Sequence, residues 1–161
     1  MAVPFKIRRA ELRDVEALVR MRIELLHVAA ALGAPTNLSE EEWGEVRASC
    51  REYFVEALPA GKHCGVVAEV DGSVVACGGI VFVERPPYQG NLLGREAYLM
   101  NMYTEPNWRG RGIGGAIVTA LLRRARDAGA RRVLLDAEEK ARRVYAKAGF
   151  HGNLEAMEIL L

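Results

Sequence analysis

The spacing of apolar and polar positions divides the chain into a regular series of short elements. Phe5–Ala10 alternates as a brief strand, and Asp14 stands as a helix cap ahead of Val15, Leu18, Val19, Ile23, Leu25 and Leu26. These positions, with Arg22 among them, keep a broad helical stripe to about Leu32, where Gly33-Ala34-Pro35 breaks it. Ser39-Glu40-Glu41-Glu42 has capping-box spacing and predicts a second helix running toward Leu58, with Trp43, Val46, Tyr53 and Phe54 as apolar positions. Pro59-Ala60-Gly61 ends it. Cys64–Val70 and Val74–Val83 are β-rich and flank Asp71-Gly72, a strong hairpin signal.

The stretch Glu84–Arg95, with two prolines and two glycines, reads as a loop, and Ala97–Tyr103 as the next strand. A helix then runs through about Ala128, with Ile113, Ile117, Ala120 and Leu121 on one face and arginines 123, 124 and 126 toward its C-terminus. Gly129 stops it. Arg132–Ala137 is a strand, Glu139–Ala148 a short helix with Gly149 as its C′ residue, and Ala156–Leu161 a last strand. The order β-α-α-β-β-β-α-β-α-β argues for an α/β protein: a mixed sheet with helices on both faces, in three layers. No repeat or linker interrupts it, so residues 1–161 read as a single domain.

Bulk properties narrow the function classes. Half of the residues are apolar, 27% are charged and the formal net charge is +1, so no broad basic face marks nucleic acid or a membrane surface as a partner. No apolar run is long enough for a membrane span, and the start lacks a leader's apolar core. Cys50, Cys64 and Cys77 have no metal-ligand spacing; the last two lie in apolar strand segments and read as buried free thiols. A reducing, cytoplasmic location follows as the expectation. The three histidines are scattered, and no metal is expected.

The candidate chemistry lies in Asn101–Gly115. A strand ends in Tyr103-Thr104-Glu105-Pro106, and Arg109-Gly110-Arg111-Gly112-Ile113-Gly114-Gly115 opens a helix. Glycines allow close backbone approach, and the first N–H groups of a helix lack intrahelical partners, so this is an anion cradle with Arg109 and Arg111 adding charge. The GxxxxGK[ST] spacing of a phosphate-binding loop is absent, and the glycines neither keep GxGxxG spacing nor follow a first βαβ strand. Glycines placed inside a helix cost on the order of 1 kcal/mol each, which a ligand explains better than packing does.

Arg109-x-x-Gly112-x-Gly114, after a strand and a proline turn, resembles the acetyl-CoA motif of the GNAT superfamily of N-acetyltransferases. Downstream, Glu138-x-x-Ala141-x-x-Val144-Tyr145-x-Lys147-x-Gly149-Phe150 is similar to a second segment of that family. The resemblance covers nearly the whole chain and is most specific over 97–150. It implies acetyl-CoA as cosubstrate, with its pyrophosphate on the cradle and its pantetheine arm beside Met102, Tyr103 and Thr104. It further implies a direct attack of an amine on the thioester, with Tyr145 as the general acid for the departing thiolate. A phenol of ordinary pKa ~10 is protonated at neutral pH and suits that role. Glu138 stands where the family has Asn or Ser; as a carboxylate it accepts hydrogen bonds from the cofactor arm but does not donate.

The resemblance implies a base for the amine near the start of the cradle strand, with Glu96 as the first candidate and Glu105 as the second. Both also read simply, as an exposed residue at a strand start and a solvent-facing turn residue. By the same resemblance, loops at 27–43 and 84–95 would flank the acceptor cleft, with Trp43 and Tyr88 as lining. The acceptor, a small-molecule or protein amine, is not specified, and a homodimer is the default oligomer. The other reading of the same residues is an acyl-CoA-binding sensor that performs no transfer.

Overall fold

The computed structural model describes residues 4–31 and 37–152. Its elements follow the expected order: β1 (Lys6–Arg9), α1 (Val15–Ala31), α2 (Glu40–Ala57), β2 (His63–Val70), β3 (Ser73–Glu84), β4 (Arg95–Thr104), α3 (Ile113–Asp127), β5 (Arg132–Leu134) and α4 (Arg142–Lys147). The expected break at 33–35 and the last strand at 156–161 lie outside the described residues.

The five strands form one sheet in the order β1-β2-β3-β4-β5, antiparallel throughout except for the parallel β4–β5 pair. Asp71 and Gly72 both take positive φ (48° and 78°), as a tight two-residue turn between right-twisted strands requires. At α2, the Ser39 hydroxyl accepts from the Glu42 N–H while the Glu42 carboxylate accepts from the Ser39 N–H. Asp14 differs from its expected role as a helix cap. It closes a 3-10 turn (Leu12–Asp14) whose cap is Glu11, and its buried carboxylate accepts from the Glu11 N–H and from Arg8. Burial alone would raise its pKa, but the Arg8 guanidinium, the Glu11 N–H and the Arg13 charge together outweigh that and hold it below the ordinary value.

Alternation along the strands builds two cores. On one face Val66, Ala68, Ile80, Ala97 and Leu99 pack with Ile117, Val118 and Leu121 of α3 and with Tyr145 of α4. On the other, Val67 and Cys77 pack with Leu18, Val19 and Met21 of α1 and with Trp43 and Phe54 of α2. Trp43, expected to line a cleft, is therefore core, its ring edge-on to His27. Cys77 is buried as expected, and Cys64 only half so.

The sheet is thinnest at β3, where two adjacent glycines face opposite layers. A Cβ on Gly78 would lie 2.3 Å from Met102 Sδ, and one on Gly79 would lie 2.2 Å from His63 Nε2. Larger side chains from β4, α3 and β2 fill the space that these glycines vacate.

Candidate active site

β5 pairs with β4 at three positions only: Glu96 with Arg132, Ala97 with Val133 and Tyr98 with Leu134. The strand expected to reach Ala137 stops at Leu134, and beyond Tyr98 the two strands part. Among the described residues, β4 from Leu99 to Thr104 has β3 on one side and no strand on the other. Main-chain amides need partners, so such a fork in mid-sheet offers a slot to an extended, amide-bearing ligand.

Within this stretch the register moves from Gly79↔Met100 to Cys77↔Tyr103, giving β4 one residue more than β3. Asn101 absorbs the excess in a left-handed conformation, φ 57°, and its carbonyl accepts a hydrogen bond from Cys77 Sγ at 3.3 Å. A bulge of this kind re-aims the backbone toward the open side.

The glycine cluster sits at the end of the slot. Gly110 and Gly112 both have positive φ (74° and 81°), and Gly112 is the N-cap of α3 with no side chain capping the helix. The first intrahelical bond runs from the Ala116 N–H to the Gly112 carbonyl, so the N–H groups of Ile113, Gly114 and Gly115 precede the ladder. Open space lies above Gly110, Gly112 and Gly115, and the nearest atom to a Cβ on Gly114 is Thr104 Oγ1 at 4.0 Å. Arg109 is anchored by its Nε donating to the Thr104 carbonyl (2.9 Å) and lies against the Tyr103 ring, while Arg111 lies over Trp108. Bare N–H groups, a helix N-terminus and two exposed guanidiniums around empty space make an anion site suited to a pyrophosphate.

Tyr145 lies on the α3/α4 side of the sheet, 8% exposed, its ring edge-on to Phe150. Among the described residues nothing hydrogen-bonds its hydroxyl. Burial first, and the Glu138 charge second, push its pKa above the ordinary value, so it stays protonated across neutral pH.

The model of the acetyltransferase (GNAT) family matches residues 33–150. The chain belongs to that family. It is 30% identical over 149 residues to a probable glucosamine 6-phosphate N-acetyltransferase 2 of Oryza sativa subsp. japonica, covering 90% of this chain and 81% of the rice protein. A predicted acetyltransferase from Clostridium acetobutylicum, solved with acetyl-CoA, is 29% identical with a TM-score of 0.83, over 98% of this chain and 96% of that one. A GCN5-related N-acetyltransferase from Ralstonia eutropha JMP134 shares the fold at a TM-score of 0.81 and 23% identity, over 98% and 99% of the two chains. This GNAT protein is thus an N-acetyltransferase, and its relatives support acetyl-CoA as the donor.

The remaining candidate residues of this GNAT enzyme are distributed unevenly. Met102 turns its side chain into the α3 core, so what it can offer the slot is backbone, and Thr104 stands beside Gly114. Glu138 is exposed and caps the 3-10 turn Glu139–Ala141 through its carbonyl, which accepts from the Ala141 N–H. Glu105 does not simply face solvent: its carboxylate accepts from Arg20 at 2.6 Å.

Glu96 is not the exposed residue its position suggested. It is 1% exposed, with Arg85 Nε donating to one oxygen at 2.8 Å and the Tyr88 hydroxyl donating to the other at 3.0 Å. Arg132 approaches the second oxygen at 3.7 Å. This network clips the 84–95 loop onto β4. The partners come from two separate segments, the 84–95 loop and β5, so no local pattern announced them. Two further features escaped the sequence reading: the bulge at Asn101, hinted at by an Asn inside an apolar strand, and a hydrogen bond from the Tyr98 hydroxyl to the Asp136 carboxylate.

Proposed function

We propose that this enzyme transfers the acetyl group of acetyl-CoA to a primary amine by direct attack on the thioester, with Tyr145 as the general acid. The observation that carries the reading is the fork between β4 and β5, with the bare N-terminus of α3 at its end and Tyr145 in the same α3-side cluster as Ala97 and Leu99 of β4. In this arrangement the pyrophosphate rests on the N–H groups around Gly112–Gly115, and the pantetheine arm lies along Met102–Thr104 as an added strand. The thioester carbonyl receives a main-chain N–H near the bulge, which stabilises the developing oxyanion. Tyr145 then donates to the sulfur as the C–S bond breaks; its raised pKa keeps it a donor at the pH where thiolate leaves.

The rice relative is named for glucosamine 6-phosphate, so amino-sugar phosphates belong first in a panel of amines. The test follows CoA release over that panel in wild type and in Tyr145→Phe. Tyr145→Phe should lose about 100-fold or more in turnover near neutral pH and bind acetyl-CoA as before. Turnover equal to wild type would remove Tyr145 from the mechanism.

A further inference from the structure

The amine adds to one face of the thioester carbonyl, and Tyr145 belongs to the α3/α4 side of the sheet, which leaves the α1/α2 side as a second direction from which a base could reach the nitrogen. The other side can be traced by register. Tyr98 pairs with Val81, Val81 pairs with His63, and the His63 ring packs edge-on to Phe54 of α2. Directly paired residues share a face, so Tyr98 lies on the α1/α2 side. It is also the last β4 residue held by β5, opposite Leu134. Two residues beyond Leu134, on the same side by alternation, Asp136 receives the Tyr98 hydroxyl.

We propose that Asp136, oriented by Tyr98 at the point where β4 and β5 separate, is the group that takes the proton from the acceptor amine. The inference rests on the amine transfer proposed above. Asp136 is exposed, and among the described residues no Lys or Arg lies within ion-pair distance of it. One carboxylate oxygen is held by Tyr98 and the other is left for the substrate. Glu96, two residues earlier on the same face of β4, is buried with one oxygen accepting from Arg85 and the other from the Tyr88 hydroxyl. Burial and the Asp136 carboxylate push the Tyr98 phenol up to about 12, so it acts as a fixed donor and not as a base.

The step balances. The amine lone pair forms the N–C bond, and the nitrogen passes one proton to the free Asp136 oxygen. Collapse of the tetrahedral intermediate breaks the C–S bond, the sulfur keeps the electron pair, and Tyr145 supplies its proton. Asp136 returns its proton to water and Tyr145 regains one, leaving an amide and CoA.

The experiment measures kcat and KM for wild type, Asp136→Asn, Asp136→Glu, Tyr98→Phe and Glu96→Gln. The probe is the best acceptor among glucosamine 6-phosphate, ethanolamine, lysine and spermidine. Asp136→Asn should lower kcat at saturating acceptor by about 100-fold while the KM for acetyl-CoA stays within about threefold. Asp136→Glu should recover about tenfold of that loss, and Tyr98→Phe, which frees the carboxylate to rotate, should cost about tenfold in kcat. The proposal is overturned if Asp136→Asn keeps kcat within about threefold, if its loss appears only in the acceptor KM, or if only Glu96→Gln is impaired. Should Asp136→Asn fail to fold, Tyr98→Phe decides alone, and an unchanged kcat overturns the proposal. Wild type that acetylates none of the four amines would instead count against the amine-transfer reading, and against this one with it.

Discussion

Replacing Gly114 and Gly115 together by alanine should move stability and ligand affinity in opposite directions. Both residues lie in the first turn of α3, and a methyl on either meets nothing closer than 4.0 Å. Neither takes a positive φ. Alanine is favoured over glycine in a helix by roughly 0.5–1 kcal/mol, so the free double variant should gain about 1–2 kcal/mol. For a domain of this size that corresponds to a rise of roughly 3–6 °C in Tm. The same methyls would stand where an anion must approach the N–H groups. Affinity for acetyl-CoA should therefore drop by tenfold or more, a cost of about 1.4 kcal/mol. Thermal melts with and without acetyl-CoA, together with titration calorimetry, read both quantities. A double variant that binds acetyl-CoA as tightly as wild type would refute the assignment of this turn to the pyrophosphate. One that melts lower would show that the glycines serve packing.

Two further outcomes test the sheet itself. Gly79→Ala places a methyl 2.2 Å from His63 Nε2, and should destabilise the fold by about 1–3 kcal/mol in chemical denaturation. Adding His63→Ala should recover part of that loss, and strict additivity would sink the steric account. Burial first, and Arg22 second, depress the His63 pKa to about 4 from an ordinary 6.5. The unfolded chain then binds a proton that the native chain refuses. Stability is unaffected above the ordinary value and falls as pH drops from about 6.5 to about 4, by on the order of 3 kcal/mol. His63→Gln should flatten that limb of the stability profile, and an unchanged slope would remove His63 as its source.

The residues that were legible in sequence are those whose structure is set by near neighbours. Ser39 and Glu42 satisfy each other within one turn, and Asp71-Gly72 closes its hairpin over two residues. The glycine turn before α3 needs no distant partner to be recognised either, and Gly149, φ 97°, ends α4 as expected. What escaped was decided across the sheet. Val133, Leu134 and Leu135 continue one apolar run, yet β5 ends at Leu134, because pairing with β4 and not local hydrophobicity sets the end of a strand. A position next to a loop suggests exposure for Glu96, a candidate base, yet it is buried. Its burial is sustained by Arg85, Tyr88 and Arg132, which are up to 36 residues away (132 − 96). Trp43 followed the helical period correctly and was still misassigned, since periodicity says that a face is buried without saying under what.

The fork also bears on how this protein avoids its own copies. Open strand edges invite pairing with other chains, and proteins commonly blunt them with charge, proline or short strands. Among the described residues the unpaired length of β4 is interior to the sheet order, with β5 tethered beside it at one end and helices packed on both faces. A polypeptide entering there would have to project side chains toward layers that the helices already occupy, whereas a slender polyamide without side chains would not. The enclosure that shields a vulnerable edge from aggregation is thus also a size filter on what can pair with it.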